Sequence, residues 1–253
     1  MPTTISLVIT VYNRLEYLPQ AVDSILAQTY PHWQLTIWDD GSTDTSAQIV
    51  GHQYALRDAR IRFFSAPHAG SQHALCASLA NAKSQYIGWV DSDDLLAPDA
   101  LAATVEILDR YPSIGMVYTD YVIIDEESRF QGIGHRCQIP YCKDRLLIDF
   151  MTFHFRLMRR EMYDRVGGID TDMYAVPDYD LCLKLAEVTE IYHLQQPLYY
   201  YREHPQSISQ AYRWTQIDNA AKAVINAMSR RGLADQYYLN ILPTGQFQIL
   251  ERS

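Results

Sequence analysis

The sequence is poor in basic residues and has no long apolar run. Lysine and arginine number 21 against 30 aspartates and glutamates, which gives a formal net charge of −9. Because a nucleic-acid-binding protein needs a basic face that displaces counterions, we expect no nucleic-acid partner. No apolar run approaches the length of a membrane span, and Ile5–Val11 is too short and lacks the cationic start of a signal peptide.

Cysteine is also scarce. The four cysteines form no Cys-x-x-Cys pair, so neither a zinc site nor a set of disulfides is predicted. Reduced thiols are typical of a cytoplasmic protein, and we expect this location. The cysteines are Cys76, Cys137, Cys142 and Cys182.

A glycine-rich phosphate loop is absent as well. The segment that ends the first apolar stretch, Thr10-Val11-Tyr12-Asn13-Arg14, contains no glycine. A sugar nucleotidyltransferase carries a Gly-rich, Arg-containing loop at this position, so we reject that function. In a protein this acidic, an anionic ligand would need a cation as intermediary.

What is present is a regular alternation of strand and helix signals in the first half. Apolar, β-rich segments are separated by segments whose apolar residues recur at helical spacing. This pattern predicts an α/β fold with a doubly wound, Rossmann-like half, in which ligands bind beyond the carboxyl ends of the strands. Residues 126–149 have no clear period, which indicates a long functional or mobile loop. The predicted strands of the first half are Ile5–Val11, Trp33–Trp38, Ile61–Ser65 and Tyr86–Val90.

Three polar clusters follow predicted strands, at Thr10–Asn13, Asp39–Ser42 and Asp91–Asp94. Because the carboxyl ends of such strands meet at one edge of the sheet, we expect these clusters to converge on one crevice. Asp91 and Asp93 can both direct oxygens at one divalent cation and leave positions for phosphate oxygens. The alternative is that Asp-Ser-Asp-Asp is only a turn before the next helix, since Asp and Ser are turn and cap residues.

Seven motifs, in order along residues 5–210, resemble the family-2 inverting glycosyltransferases with the GT-A fold. The resemblance implies an α/β/α sandwich on a mixed central sheet, with a nucleotide-sugar-binding half at 1–112 and an acceptor-binding half at 113–210. Residues 211–253 are predicted to form a C-terminal helical appendage. The motifs are Ser6–Asn13, Ser24–Thr29, Asp39–Asp44, Asp91–Asp94, Val166–Asp170, Asp178–Leu181 and Tyr201–Ser209.

The same resemblance implies roles for individual residues. A Mn²⁺ or Mg²⁺ ion is expected on Asp93, with His204 closing the site and Asp91 binding the metal or the ribose. A nitrogen ligand beside oxygens suits Mn²⁺ better than Ca²⁺. A carboxylate can accept the imide N–H of uracil or thymine, and a tyrosine can pack on the base. The residues expected to hold the nucleotide are Thr10, Tyr12, Asp40 and Asp91.

Asp178 corresponds to the catalytic base of the family, which would deprotonate the acceptor hydroxyl. Pro177 stands where the family usually has Glu, and Asp178 could instead be only a helix cap. Asp180 is the alternative base. The expected function is inverting transfer of a sugar from a UDP- or dTDP-sugar to a saccharide or lipid-linked acceptor. The alternative is a non-catalytic nucleotide-sugar-binding or scaffold protein derived from a transferase.

An arginine cluster lies where the family places acceptor contacts. It could face an anionic lipid-linked acceptor or the inner face of the membrane, which allows peripheral membrane association. A solvated helix face is the alternative. The cluster consists of Arg156, Arg159, Arg160 and Arg165.

Overall fold

The computed structural model describes residues 4–205 and 213–252. Its strands are β1 (Ile5–Val11), β2 (Trp33–Asp39), β3 (Ile61–Ser65), β4 (Tyr86–Trp89), β5 (Leu95–Leu96), β6 (Ile114–Ile124), β7 (Phe130–Ile133), β8 (Arg156–Arg159), β9 (Glu190–Arg202), β10 (Tyr237–Ile241) and β11 (Phe247–Glu251). Its α-helices are α1 (Leu18–Leu26), α2 (Ser46–Arg57), α3 (Ser71–Ala80), α4 (Ala100–Arg110), α5 (Arg160–Arg165), α6 (Pro177–Val188) and α7 (Arg213–Arg230).

Nine strands form one mixed sheet in the order β3-β2-β1-β4-β8-β6-β9-β5, with β7 also paired to β6. The first four strands are parallel neighbours, and β8 then runs antiparallel to both β4 and β6. The predicted Rossmann-like half and mixed central sheet are therefore confirmed. Parallel pairing places the ends of β1, β2, β3 and β4 at one edge.

Apolar residues cover both faces of this sheet. Along β1, Leu7 and Ile9 belong to one buried cluster, while Val8 belongs to another on the opposite face. Side chains alternate between faces along a strand, so a strand buried on both sides reads as a continuous apolar run. The α/β/α sandwich follows from this double burial. None of the described helices is long and apolar enough to cross a membrane.

The segment predicted to be a helical appendage differs from that prediction. Among the described residues of this segment, 213–252, only α7 is helical, and β10 and β11 follow it as an antiparallel hairpin. The hairpin arises because apolar residues alternate there: Leu239 and Ile249 pair on the side that packs on the core. The predicted boundary at residue 210 lies outside the described residues.

Helix α7 packs on α6 as part of the second apolar cluster. Ala223, Val224 and Ala227 are fully buried in it, together with Leu181 and Leu185 of α6. The packing of such apolar residues stabilises a helix in a folded domain, since isolated helices are only marginally stable in water. The C-terminal helix is thus continuous with the core of the second half.

Candidate active site

The loops after β1 and β2 are joined through Asn13. Its Oδ1 accepts hydrogen bonds from the backbone N–H of Thr43 at 2.8 Å and from the Thr43 hydroxyl at 3.0 Å. The backbone N–H of Asn13 donates to Ser42 Oγ at 3.0 Å. Asn13 has a φ of 52°, in the left-handed region that asparagine tolerates better than most residues. Two of the three predicted clusters therefore meet.

The third cluster forms an ion pair with Arg14, the residue directly after the first cluster. Arg14 Nη1 lies 2.6 Å from Asp93 Oδ2, and His204 Nε2 lies 2.9 Å from the same oxygen. Burial favours the protonated form of Asp93, but the His204 hydrogen bond and the Arg14 charge outweigh it and lower the pKa of this carboxyl. Asp93 therefore carries a negative charge in the crevice, as a metal ligand or a counter-ion requires.

Asp39 and Asp40 both anchor loops. Asp39 accepts the backbone N–H of Ser42 at 3.0 Å and the hydroxyl of Ser65 at 2.9 Å. Asp40 accepts the backbone N–H groups of Ala69 and Gly70, each at 2.9 Å. Asp40 is thus bonded to the loop after β3, a contact that the sequence did not indicate.

Tyr12 and Asp40 meet through His68. The rings of Tyr12 and His68 stack with centroids 3.9 Å apart, and His68 Nδ1 lies 2.8 Å from Asp40 Oδ2. Thr10, the remaining predicted base contact, is half-buried in β1 opposite Trp38. Sequence reasoning missed His68, although its loop follows a predicted strand whose end faces the same edge.

Asp91 occupies a different position from Asp93. Its Oδ2 lies 3.4 Å from His154 Nε2, and 44% of its side chain is exposed. Desolvation in the crevice and the charges of Asp93 and Asp178 raise the pKa of Asp91 to about 7. Burial, with the positive charges of Arg156 and Arg136, lowers the pKa of His154 well below its usual value. His154 is therefore neutral, so it does not compensate the negative charges around Asp91.

A buried network holds the Asp91–Asp94 loop. Asp94 accepts the Tyr199 hydroxyl at 2.8 Å and the backbone N–H of Arg202 at 2.7 Å. The same Tyr199 oxygen accepts the backbone N–H of Asp91 at 3.2 Å. Arg202 is buried and its Nε donates to the Asp93 carbonyl at 2.7 Å. Strand β9 thereby fixes the backbone that carries both predicted metal-binding carboxylates.

Asp178 lies in the first turn of α6, which Pro177 begins. Arg156 Nη2 donates to Asp178 Oδ2 at 3.0 Å. Although burial opposes its charge, Asp178 raises the pKa of Arg156. Asp180 is 1% exposed and pairs with Lys184 at 2.5 Å, whereas the side chain of Asp178 is 21% exposed. Of the two candidate bases, only Asp178 is accessible.

The donor chemistry of the site fits a divalent cation, although the ligands are not gathered around one point. Asp93 and His204 supply an oxygen and a nitrogen that Mn²⁺ accepts together. Asp91 is directed toward His154 instead. Within the described part of the chain, no group of three or more His, Cys, Asp or Glu side chains is arranged to hold a metal ion. Asp93 and His204 are the pair that would hold one.

The arginine cluster is not a surface patch. Arg156 and Arg159 are buried, and Arg159 donates from Nε to the carbonyl of Ile114 at 2.9 Å. Arg160 pairs with Asp164 within α5 at 2.8 Å. A membrane-facing surface and a solvated helix face are therefore both wrong for Arg156 and Arg159, whereas Arg165 is exposed on α5. The first two members of the cluster fall on β8, an interior strand whose arginines satisfy buried carbonyls and Asp178.

The long loop of the second half has local structure. It contains β7 and two short 3₁₀ turns, His135–Gln138 and Arg145–Leu147. Arg136 from the first turn lies over the rings of Phe150 and Phe153, 5.1 and 4.6 Å from their centroids. Such short elements leave no period in the sequence, which explains why the sequence indicated only a loop.

Comparison with known proteins places these features in a family. Residues 6–167 match the model of glycosyl transferase family 2. This match contains Asp40, Asp91 and Asp93 but ends before Asp178 and His204.

Relatives of known name are similar over most of this chain. Chondroitin synthase of Escherichia coli is 31% identical over 234 residues, which are 92% of this chain and 34% of that protein. Hyaluronan synthase of Pasteurella multocida is 29% identical over 234 residues, 92% of this chain and 24% of that protein. The chain spans about a third or less of the length of these two relatives.

Solved structures share the fold. Mannosyltransferase PcManGT from Pyrobaculum calidifontis, in complex with GDP-Man and Mn²⁺, superposes with a TM-score of 0.68 at 20% identity, covering 90% of this chain and 65% of that one. TarS 1-349 of S. aureus, in complex with UDP-GlcNAc, gives a TM-score of 0.69 at 14% identity, covering 98% and 97%. Both structures match the GT-A arrangement described above.

Proposed function

Because this chain belongs to glycosyl transferase family 2, we propose that it transfers a sugar with inversion from a UDP- or dTDP-sugar to a hydroxyl of a saccharide or lipid-linked acceptor. It is a glycosyltransferase with relatives in polysaccharide synthesis. The observation that carries the finer proposal is the arrangement of carboxylates: Asp93 paired with Arg14 and His204, and Asp178 accessible in the same crevice.

The proposed chemical step uses Asp178 as general base. The carboxylate accepts the proton of the acceptor hydroxyl while that oxygen attacks the anomeric carbon opposite the departing diphosphate. A single displacement of this kind inverts the anomeric centre. The ion pair with Arg156 supports this role, since it orients Asp178.

The nucleotide is proposed to lie against Tyr12, Thr10 and Asp40. Asp40 Oδ1 accepts one backbone N–H, from Ala69, and retains capacity for a further bond, such as one from a base imide. The Tyr12 ring lies 37% exposed and stacked on His68, so an aromatic surface already faces this end of the crevice. Asp91 is proposed to contact the ribose or the metal.

Mn²⁺ or Mg²⁺ is proposed as the cofactor, held by Asp93 and His204 with Asp91. When bound, the ion would neutralise the departing diphosphate. The complex of PcManGT with Mn²⁺ supports this for a protein of the same fold. We also propose a cytoplasmic location, since all four cysteines are free thiols in the structure.

The function is tested by screening UDP-, dTDP-, GDP- and ADP-sugars with Mn²⁺ for thermal stabilisation and slow donor hydrolysis. A transferase should be stabilised by one donor class and should release its nucleotide diphosphate over time. Stabilisation without any release, with or without saccharide acceptors, would favour the non-catalytic binding protein. The anomeric configuration of an isolated product, read by NMR coupling constants, tests inversion directly.

A further inference from the structure

One carboxylate oxygen of Asp93 is shared by two donors of the protein itself. Arg14 Nη1 and His204 Nε2 lie 2.6 and 2.9 Å from Asp93 Oδ2. A carboxylate oxygen offers about two lone-pair sites, and these two bonds use both. A metal ion that coordinates this oxygen must therefore displace at least one of the two donors.

Arg14 is held in this position by its own loop. Asn13, with its positive φ, is bonded to Ser42 and Thr43, so the chain direction at Arg14 is fixed relative to β2. The side chains of Arg14 and Asp93 are only 24% and 13% exposed. A pair this shielded is less screened by solvent than an exposed ion pair. The ion pair between Arg14 and Asp93 is thus held in place by the surrounding structure.

We propose that Arg14 is a built-in competitor of the divalent cation: in the metal-free protein its guanidinium occupies one of the two lone-pair sites of Asp93 Oδ2 and opposes the binding of a second cation to that oxygen. The inference rests on the metal role proposed for Asp93. An arginine stays charged throughout the accessible pH range, so the competition does not depend on its protonation.

The test is Mn²⁺ titration of the nucleotide-free protein, with free Mn²⁺ read by its electron paramagnetic resonance signal. Arg14→Gln should bind Mn²⁺ about tenfold more tightly than wild type, because a charge-assisted hydrogen bond no longer competes for Asp93. Arg14→Lys retains the charge and should stay close to wild type. Arg129→Gln is the matched control, since Arg129 pairs with Asp125 on an exposed loop and does not contact Asp93.

Thermal unfolding provides a second measurement for each variant. Added Mn²⁺ should raise the Tm of Arg14→Gln more than that of wild type, which also shows that the variant is folded. Equal or weaker Mn²⁺ affinity in Arg14→Gln, or an equal gain in Arg129→Gln, overturns the inference. If Asp93→Ala still abolishes Mn²⁺ binding in that case, the proposed metal role stands. Absence of Mn²⁺ binding in both wild type and Arg14→Gln overturns the inference and the metal role together.

Discussion

Arg156 and Asp178 form an ion pair that joins the start of strand β8 to the first turn of helix α6, with 3.0 Å between Nη2 and Oδ2. The arginine is 1% exposed and the aspartate 21%, so the cation lies behind the carboxylate. Arg156 Nη1 also donates to the carbonyl of Thr152 at 2.9 Å. The pair therefore presents one oriented carboxylate to the crevice, as a general base requires.

The first prediction concerns this carboxylate. Asp178→Asn keeps the size and much of the capping ability of the side chain but removes the proton acceptor. Turnover should fall by roughly 10²–10⁴-fold, the usual contribution of general-base catalysis. Donor affinity should change little, whereas Tm should fall because the buried Arg156 loses its carboxylate partner. Initial rates and calorimetric donor binding measure the two quantities separately, and full activity would exclude Asp178 as the base.

Asp180→Asn is the control for that variant. Because Asp180 is buried and paired with Lys184, its replacement should lower the free energy of unfolding while leaving turnover per folded molecule nearly unchanged. If Asp180→Asn lost as much turnover as Asp178→Asn, the effect could not be assigned to Asp178 alone. It would then indicate that Asp180, or the intact start of α6, is required for turnover.

The second prediction concerns metal. Removing divalent cations with a chelator, or replacing Asp93 with Ala, should weaken donor binding at least tenfold, because the diphosphate loses its counter-ion. Asp44→Ala is the control: Asp44 accepts the backbone N–H of Ser46 at the start of α2 and is not a proposed metal ligand. Isothermal titration with the nucleotide diphosphate provides the affinities. Unchanged affinity after both treatments would refute the metal assignment.

The third prediction concerns the base. If Asp40 reads an imide N–H, UDP or dTDP should compete for the site better than ADP, whose base lacks that donor. GDP offers its own N1–H donor and should rank between them. Competition binding in Mn²⁺ with the four diphosphates gives the order. A preference for ADP would contradict the proposed base pocket.

The fourth prediction concerns the network beneath the Asp91–Asp94 loop. Tyr199→Phe leaves Asp94 without the hydroxyl donor it has at 2.8 Å, and should cost about 1.5–3 kcal/mol of unfolding free energy. Urea denaturation measures this loss. Tyr200→Phe removes the same atom from the neighbouring, partly buried tyrosine and should cost less. Equal costs would mean that the Asp94 contact contributes nothing specific.

The fifth prediction concerns the thiols. Burial raises the pKa of Cys137 and of Cys182 to about 11, whereas Cys142 is exposed. At pH 8 only about one in a thousand thiols with a pKa of 11 is ionised, so those two should react slowly. Maleimide labelling followed by peptide mass spectrometry should find Cys142 modified before Cys137 and Cys182. Rapid labelling of Cys182 would show that helix α6 opens.

The strand-end clusters were predictable because they depend on local patterns. Apolar strands followed by polar turns indicated the crevice at Asp40 and Asp93, and their meeting follows from parallel pairing. The Arg14–Asp93 pair was not predictable, since it joins residues 79 positions apart. Its signal was weak: Arg14 is a single basic residue directly after the first strand-end cluster.

For the arginines of β8, the sequence suggested a position that the structure contradicts. Four arginines within ten residues suggested a surface, because unpaired arginines are rarely buried. Arg156 and Arg159 are instead buried with partners from α6, α4 and β6. Those partners are distant in the sequence, and their identity depends on the position of β8 between β4 and β6. Only the assembled sheet reveals it.

Helix α7 determines how far this chain could be shortened at its C-terminal side. Asn219 and Gln216 donate to the carbonyls of Tyr174 and Ala175, directly before the helix that carries Asp178. A protein shortened at residue 210 would keep every family motif. It would lose the apolar residues of α7 that pack on α6 and the two hydrogen bonds to the loop before α6. We therefore expect an active fragment to extend at least through Arg230, beyond the last family motif.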